Sequence, residues 1–488
     1  MLREGSSVTY SIPPRTPGQP RVSLCMIVKN EEANLPECLG SVGDVVNEII
    51  VVDTGSTDNT KKVAAAMGAR VFDLPWPDSF AAARNESLRH ATGEWIIWMD
   101  ADDRLDEENR AKLRSLFASL PDRNVAYLMK CMIIPAPGDS ESVRVVDHTR
   151  LFRNDPRIRW HYRVHEQILP AIYGLGGEVR RSDVVIQHIG YQDAVLRPKK
   201  LERNLRLLQL DNAERPNDSF TLYNLGRSLE RLGRIGEALP YWQRSLQHAP
   251  SYETYVPKLY SLIAEGYSQL GRRNEMTAVC LGGLARFPDH PELLFRAGTL
   301  LKGMGDIPAA AACFERLLAQ SSEMHFLLGD DTGIRYKTQT LLGRIYRDQQ
   351  RTAEAEAQWI AALKEAPDFA QALLGLGQLL LDQRRWEEFD KVIARLDRLQ
   401  EGIVEAAVLR GLRHLACSEP ESARKLMEDT ITRFPNVVEP RVLLSRILMA
   451  EGRDMAAVER ALRAILAIDP QNAEARRGLA KLLPIHGA

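Results

Sequence analysis

Asp100 and Asp102 flank Ala101 directly after an apolar run, Trp95-Ile-Ile-Trp-Met99. Two carboxylates at this spacing are hard oxygen donors that suit Mg²⁺ or Mn²⁺, ions usually shared with substrate phosphates. His188 closes a second apolar run, Val184-Val-Ile-Gln-His188. An imidazole at a strand end can complete a metal shell that carboxylates begin. A plainer reading of the acids is structural, with Asp102 or Asp103 capping a helix that starts near Asp106. Asp106, Glu107 and Glu108 fit that plainer role themselves, since acids in a first helical turn complement the helix dipole.

These groups need a frame. Val22–Val28 and Glu48–Val52 read as core strands, Gly68–Phe72 as a shorter one and Trp95–Met99 as a fourth. Helices fall between them. The first carries Leu35, Cys38, Leu39 and Val42 at helical spacing. The second is capped by Ser56, Thr57 or Asp58 and runs to about Met67, and the third covers Phe80–His90. The order β-α-β-α-β-α-β predicts a mostly parallel sheet with helices on both faces. Ligands of such sheets sit at the carboxyl ends of the strands. Asp53 and Asp100–Asp103 fall there, and so do Lys29, Asn30 and Glu31, so the topology predicts a nucleotide pocket along that edge. No Gly-x-Gly-x-x-Gly follows the first strand, which argues against a dinucleotide site, and the absence of Gly-Lys-Ser or Gly-Lys-Thr excludes a P-loop. Val125–Ile134 and Val143–Phe152 are further strand candidates around a turn at Pro135–Gly138. Arg150, Arg153, Arg157, Arg159 and Arg163 then cluster among Trp160, His161 and Tyr162. That cluster could face a diphosphate or an acidic acceptor, or lie on a solvated surface.

Four stretches in order carry a resemblance: Ser23-Leu-Cys-Met-Ile-Val-Lys-Asn-Glu-Glu32, Ile50-Val-Val-Asp-Thr-Gly-Ser-Thr-Asp58, Ala83-Arg-Asn85 and Asp100-Ala-Asp102. Together they closely resemble family 2 glycosyltransferases of the Rossmann-like GT-A fold, over roughly Arg21 to Tyr191. The resemblance implies sugar transfer from a nucleotide-sugar donor of UDP or GDP type, usually with Mn²⁺ or Mg²⁺. By position, Asp53 resembles the acid that contacts the base, and Arg84 sits where the nucleotide is often held. Asp100 resembles the ribose-side acid and Asp102 the metal ligand. Lys29, Asn30, Glu31 and Ala101 fall in the same donor-facing stretches. Asp103 is within the range of the family's common ending, Asp-x-Asp followed by Glu or Asp. His188 matches the C-terminal histidine that GT-A enzymes often give to the metal. The resemblance also implies an acidic base past the Asp-x-Asp. Glu166, in Val164-His165-Glu166, is the candidate, with His165 or Asp147 as alternatives. In that chemistry the departing nucleoside diphosphate gathers negative charge, which a Lewis acid stabilises. The base takes the acceptor's proton during attack on the anomeric carbon, with inversion.

Composition sets the limits. The 488 residues carry 64 Lys and Arg against 65 Asp and Glu, a net charge of −1. Such a balance gives no electrostatic case for nucleic acid or an acidic membrane. No run of about 18 apolar residues marks a membrane span. The stretch 1–20, with Pro13, Pro14, Pro17 and Gly18, reads as a disordered leader without the apolar segment of a secretory signal. Six scattered cysteines with no Cys-x-x-Cys fit a reducing cytoplasm rather than a zinc site or disulfide framework.

Past about Lys199 strand signals vanish. Leu225-Gly226, Leu229, Leu232-Gly-Arg234, Glu237-Ala238, Trp242, Leu246 and Pro250 match the 34-residue tetratricopeptide pattern of two helices and a turn. Equivalent positions recur at Gly271, Gly305, Gln350, Arg384, Ser418 and Gly452, at intervals from Gly233 of 38, 34, 45, 34, 34 and 34. The longest interval predicts a loop around Ser321–Arg335. The expected organisation is an α/β GT-A domain over 21–196, a linking helix over 197–218, and an all-α superhelix of about seven repeats over 219–488 with a capping helix. The superhelix groove would hold a peptide or protein, as acceptor or partner. A separable array predicts that removing residues after Leu196 spares donor binding and costs the acceptor. Two other readings remain at this level: an interaction scaffold with a silent front domain, and a nucleotidyltransferase acting on a sugar phosphate. The second lacks a Gly-rich loop after the first strand.

Overall fold

The computed structural model describes residues 20–135, 144–189, 197–320, 333–452 and 454–482. The expected leader, most of the turn at Pro135–Gly138 and most of the loop at Ser321–Arg335 lie outside the described residues. The chain forms two compact units, Met1–Val279 and Cys280–Ala488. Among the described residues, no helix is long and apolar enough to cross a membrane.

In the first unit, one sheet holds β1 (Val22–Val28), β2 (Glu48–Asp53), β3 (Arg70–Asp73), β4 (Trp95–Trp98), β5 (Asp103–Arg104), β6 (Val125–Ile133), β7 (Arg144–Arg153) and β8 (Glu178–His188), in the order β3-β2-β1-β4-β7-β6-β8-β5. The pairs β3-β2, β2-β1 and β1-β4 are parallel, as the alternating pattern predicts. Beyond β4 the sheet is mixed: β7 runs antiparallel to β4 and β6, while β8 runs parallel to β6. Residues of β1, β2 and β4 are almost all buried, the mark of strands covered on both faces. The covering helices include α1 (Leu35–Val42), α2 (Thr60–Ala66), α3 (Phe80–His90) and α4 (Glu107–Ala118). Asp106 caps α4, its carboxylate accepting from the Asn109 N–H at 2.9 Å. Asp102 and Asp103 are therefore not needed as caps. Two short elements carry too little sequence signal to be foreseen, β5 and α5 (Leu169–Gly174). β5 matters most, because its antiparallel pairing sets Asp103 opposite His188.

The same unit continues through α6 (Arg197–Glu214), α7 (Ser219–Arg231), α8 (Ile235–His248) and α9 (Val256–Gln269). Leu205, Leu207 and Leu208 of α6 share one apolar cluster with Leu225, Leu229, Trp242 and Val164, and Trp76 and Phe80 pack against it. Polar ties reinforce that seam. The buried Asp211 carboxylate accepts the Arg163 N–H at 2.9 Å, and Arg206 donates to Asp78 at 2.9 Å. Apolar area removed from water joins α6 and α7 to the sheet domain, and the compact unit that holds the sheet runs to Val279.

The second unit is helical. Its pairs are Pro291–Gly303 with Ile307–Leu318, Ile334–Asp348 with Thr352–Glu365, Ala370–Asp382 with Trp386–Leu396, Ile403–Ala416 with Pro420–Arg433, and Glu439–Glu451 with Met455–Ile468; Ala473–Leu482 follows them. The positions read as equivalent from the repeat spacing share one backbone state. Gly233, Gly271, Gly305, Gln350, Arg384, Ser418 and Gly452 all have left-handed φ, between 56° and 86°. This is the residue just past a helix end, where glycine avoids a Cβ clash. Arg384→Gly and Ser418→Gly are each expected to stabilise the unit by about 0.5–1 kcal/mol. A rise in the urea midpoint would check this, and an unchanged midpoint would show that these side chains earn their strain through contacts.

Candidate active site

A cavity of about 1010 Å³ opens at the carboxyl ends of the parallel strands. Lys29, Glu31, Asp100, Asp102, Glu166 and His188 line it from the sheet domain, and Lys200, Arg203 and Arg231 line it from α6 and α7. The sequence places Lys29, Glu31, Asp100, Asp102 and His188 at strand ends, with Glu166 on a loop, and gives no hint of the second group.

Ligand atoms of Asp100, Asp102 and His188 lie within 4.8 Å of one another. The donor set is two carboxylates and an imidazole, which fits Mn²⁺ or Mg²⁺. Burial and the neighbouring Asp100 push the Asp102 carboxyl up to about 6. Two acids are thus held close together in a partly dry site, a repulsion that a divalent cation relieves. His188 Nδ1 lies 2.9 Å from Asp103 Oδ1 and 3.5 Å from Asp102 Oδ1, so Asp103 orients the ring. Asp103 is fully buried and paired with the equally buried Arg150 at 2.7 Å. Burial works against the Asp103 charge, but Arg150 and His188 outweigh it and hold the group at about 2. Asp103 also accepts the Asp100 N–H at 2.8 Å, so one carboxylate fixes both the turn and the histidine. A second set, Asp103, Cys131 and His188, also has its ligand atoms together. Arg150 already donates to both Asp103 and Cys131 there, so that place is filled by a cation.

Arg84, expected to hold the nucleotide, lines the cavity and is paired within the protein. Its Nε donates to Glu166 at 2.7 Å and its Nη2 to Asp100 at 3.0 Å. The guanidinium lies 4.1 Å from the Trp98 ring centroid and 5.4 Å from that of Trp160. Despite burial, the charges of Asp100 and Glu166 raise its pKa, so it stays a fixed cation between the metal set and the candidate base. Asp53 is buried and is not part of the cavity wall, although the next residue, Thr54, lines it. One of its oxygens accepts from the Gly55 and Ser56 N–H groups at 2.9 and 2.8 Å, while its buried Oδ2 has no partner. Asn30 is not part of the cavity wall. Its side chain accepts the Thr57 N–H at 2.8 Å and braces the loop after β1 against the loop after β2. Glu31 faces the cavity, its pKa raised by burial against the pull of Asn34. Ala101 is buried between the two acids.

The alternatives to Glu166 are less well placed. Asp147 pairs with Arg181 at 3.0 Å, and burial lowers the pKa of His165. The arginine cluster also resolves into pairs rather than a phosphate site. Arg150 meets Asp103, Arg153 meets Asp122, Arg157 meets Asp155, and Arg163 meets Asp211 and Glu214. Tyr162 and His165 have φ of 70° and 57°, unusual for residues with a side chain. A backbone bridge between His161 and Gln167 pins the loop they form, and Asp211 holds it from α6. Glu166 is carried on this loop.

Comparison with known proteins bears on the two kinds of domain. Residues 23–131 match the glycosyl transferase family 2 model, and residues 219–252 and 340–398 match tetratricopeptide repeat models. A TPR repeat-containing protein of Synechococcus elongatus is 34% identical over 250 residues, 50% of this chain and 60% of that protein. The SPbeta prophage-derived glycosyltransferase SunS of Bacillus subtilis is 29% identical over 232 residues, 47% of this chain and 54% of the relative. An uncharacterized glycosyltransferase of Rickettsia typhi is 34% identical over 123 residues, 25% of this chain and 41% of its own length. The chain therefore spans 60% or less of the length of these relatives. Among solved structures, the type IV pilus biogenesis factor PilW overlays with a TM-score of 0.38 and 19% identity, over 46% of this chain and 98% of its own. That overlay is too loose to add to the repeat matches.

Proposed function

From a chain that carries a family 2 glycosyltransferase domain and tetratricopeptide repeats, we propose a metal-dependent transferase. It moves a sugar, of hexosyl type, from a UDP- or GDP-sugar to a peptide or protein acceptor, with inversion. The observation that carries the reading is the set Asp100, Asp102 and His188, gathered in one cavity with Glu166. Mn²⁺ or Mg²⁺ held by that set would supply Lewis-acid stabilisation of the departing diphosphate. Asp53 Oδ2, buried without a partner, is the atom to accept a nucleobase N–H. Glu166 takes the acceptor's proton, and Arg84 fixes its position. All cysteines are free, which suits a reducing cytoplasm.

The test is release of nucleoside diphosphate by the purified chain from a panel of UDP- and GDP-sugars, with and without Mn²⁺. One active donor, silenced by chelation, is the expected result. Asp102→Ala should lower that turnover by about 10³-fold or more, since several kcal/mol of charge stabilisation leave with the ligand. Its melting temperature should stay within a few degrees, because the substitution also relieves the Asp100–Asp102 repulsion. Full turnover in this variant would refute the metal assignment. Silence across the panel, with no donor binding by calorimetry, would favour a scaffold with a silent front domain.

A further inference from the structure

Arg203 of α6 and Arg231 at the end of α7 both line the catalytic cavity. Most arginines of this protein are paired with acids; neither of these two meets a carboxylate within ion-pair distance among the described residues. Arg203 donates only to Asn204, at 3.1 and 3.3 Å, and its guanidinium lies 4.8 Å from the Phe80 ring centroid. Trp76 and Phe80, edge to face at 4.9 Å, form an apolar shelf beside it. The charges that face these two arginines belong to the loop of His165 and Glu166. They therefore sit on the side of the candidate base, with Arg84 between Glu166 and the acids of the metal set.

Several other charges of the cavity have partners within the protein. Arg84 answers Asp100 and Glu166, and Arg181 answers Asp147. A divalent ion and a diphosphate would balance one another around Asp100, Asp102 and Lys29. Two cations beside the base remain without an ion-pair contact among the described residues, and one of them lies next to an aromatic shelf. We propose that Arg203 and Arg231 form an anion subsite for the acceptor, so that the chain selects an acidic peptide whose carboxylate lies close to the accepting side chain. The proposal rests on the transferase reading for its purpose, and its geometry stands on the cavity alone. The helices that open the repeat array would then act as part of the catalytic wall, not only as a distant docking surface.

The experiment uses the full chain and fluorescein-labelled decapeptides of three kinds, Glu-rich, Gln-rich and Lys-rich, each with central Ser, Thr, Tyr and Cys. Anisotropy is read at low and high salt. The expected result is tightest binding of the Glu-rich peptide, weakened by salt, and a loss of about ten-fold or more in the Arg203→Gln/Arg231→Gln double variant. Arg272→Gln, which removes an arginine paired with Glu275 in the next repeat, controls for general loss of positive charge. No preference for the Glu-rich peptide, or equal binding by the double variant, would overturn the subsite. Equal weakening of UDP and GDP binding in calorimetry would assign the arginines to the donor phosphates and also overturn it. Binding needs no turnover, so arginine-dependent peptide capture in a chain that hydrolyses no donor would keep the subsite while removing the transferase reading.

Discussion

A chain ended after Leu196 is expected to lose donor turnover completely, and with it the folded form of the loop that carries Glu166. A chain ended after Pro288 should keep it. The difference follows from where apolar area and hydrogen bonds lie. Trp76 and Phe80 of the sheet domain pack on a cluster built mainly from α6, α7, α8 and α9. Cutting at 196 exposes that face, which includes Val164, next to Glu166. Trp76, Phe80 and Val164 lose that cover, and burial of each is worth about 1.5–3 kcal/mol, a large share of the stability of a domain. The cut also removes Asp211, which accepts the Arg163 N–H and so braces a loop with two left-handed, non-glycine residues. Such backbone persists only where its surroundings over-determine it. A separable array predicts the opposite outcome, donor turnover intact in the short chain. Circular dichroism melts and nucleoside diphosphate release for the two truncations decide between them. Asp211→Asn offers a milder test in a folded protein: a fall in turnover larger than the change in donor affinity would show that the seam positions the loop.

The sequence makes the parallel half of the sheet legible because each strand there is a continuous apolar run ending in turn residues. Trp95–Trp98 and Glu48–Asp53 needed no tertiary information. The repeat register was equally open, since glycine at Gly233, Gly271 and Gly305 marks the left-handed position, and the 34-residue spacing carries it to Gln350, Arg384 and Ser418. Asp102 and His188 were also readable as strand-end groups, and β5 brings them together. Roles set by long-range partners were not readable. Arg84 looked available for a nucleotide because nothing in Ala83-Arg84-Asn85 reveals that Asp100 and Glu166 converge on it. Asn30 sat among functional-looking loop residues, while its side chain spans to Thr57. The arginine run from Arg150 to Arg163 reads as one patch, although Arg150, Arg153 and Arg163 answer acids distant in the chain while Arg157 and Arg159 answer Asp155 and nearby carbonyls. Arg150 carries a partial signal, since a cation set against Leu151 and Phe152 in a strand-like stretch implies a buried counter-charge.

Arg150→Met is expected to cost about 3–5 kcal/mol of stability in the first unit, because it leaves the Asp103 carboxylate buried without its partner. Asp103 is fully buried and Arg150 is 2% exposed, so solvent cannot take the place of either. The Arg150 guanidinium also lies 3.8 Å from the Trp98 ring centroid and donates to the Trp98 carbonyl at 3.3 Å. Methionine restores much of the stem's packing but none of the charge, so the loss measures the unpaired acid. The double variant Arg150→Met/Asp103→Asn should recover most of it, since a buried pair contributes little net stability compared with the cost of orphaning one member. Function separates the two variants differently. Asp103 holds Nδ1 of His188 and the Asp100 N–H, and losing such an outer carboxylate typically lowers metal affinity by about 10–100-fold. The double variant is therefore expected to be stable yet weak for Mn²⁺, and urea unfolding with Mn²⁺ calorimetry on the same samples reads both effects. Recovery of stability together with wild-type Mn²⁺ affinity would show that Asp103 serves the fold alone and that Asp100, Asp102 and His188 orient themselves without it.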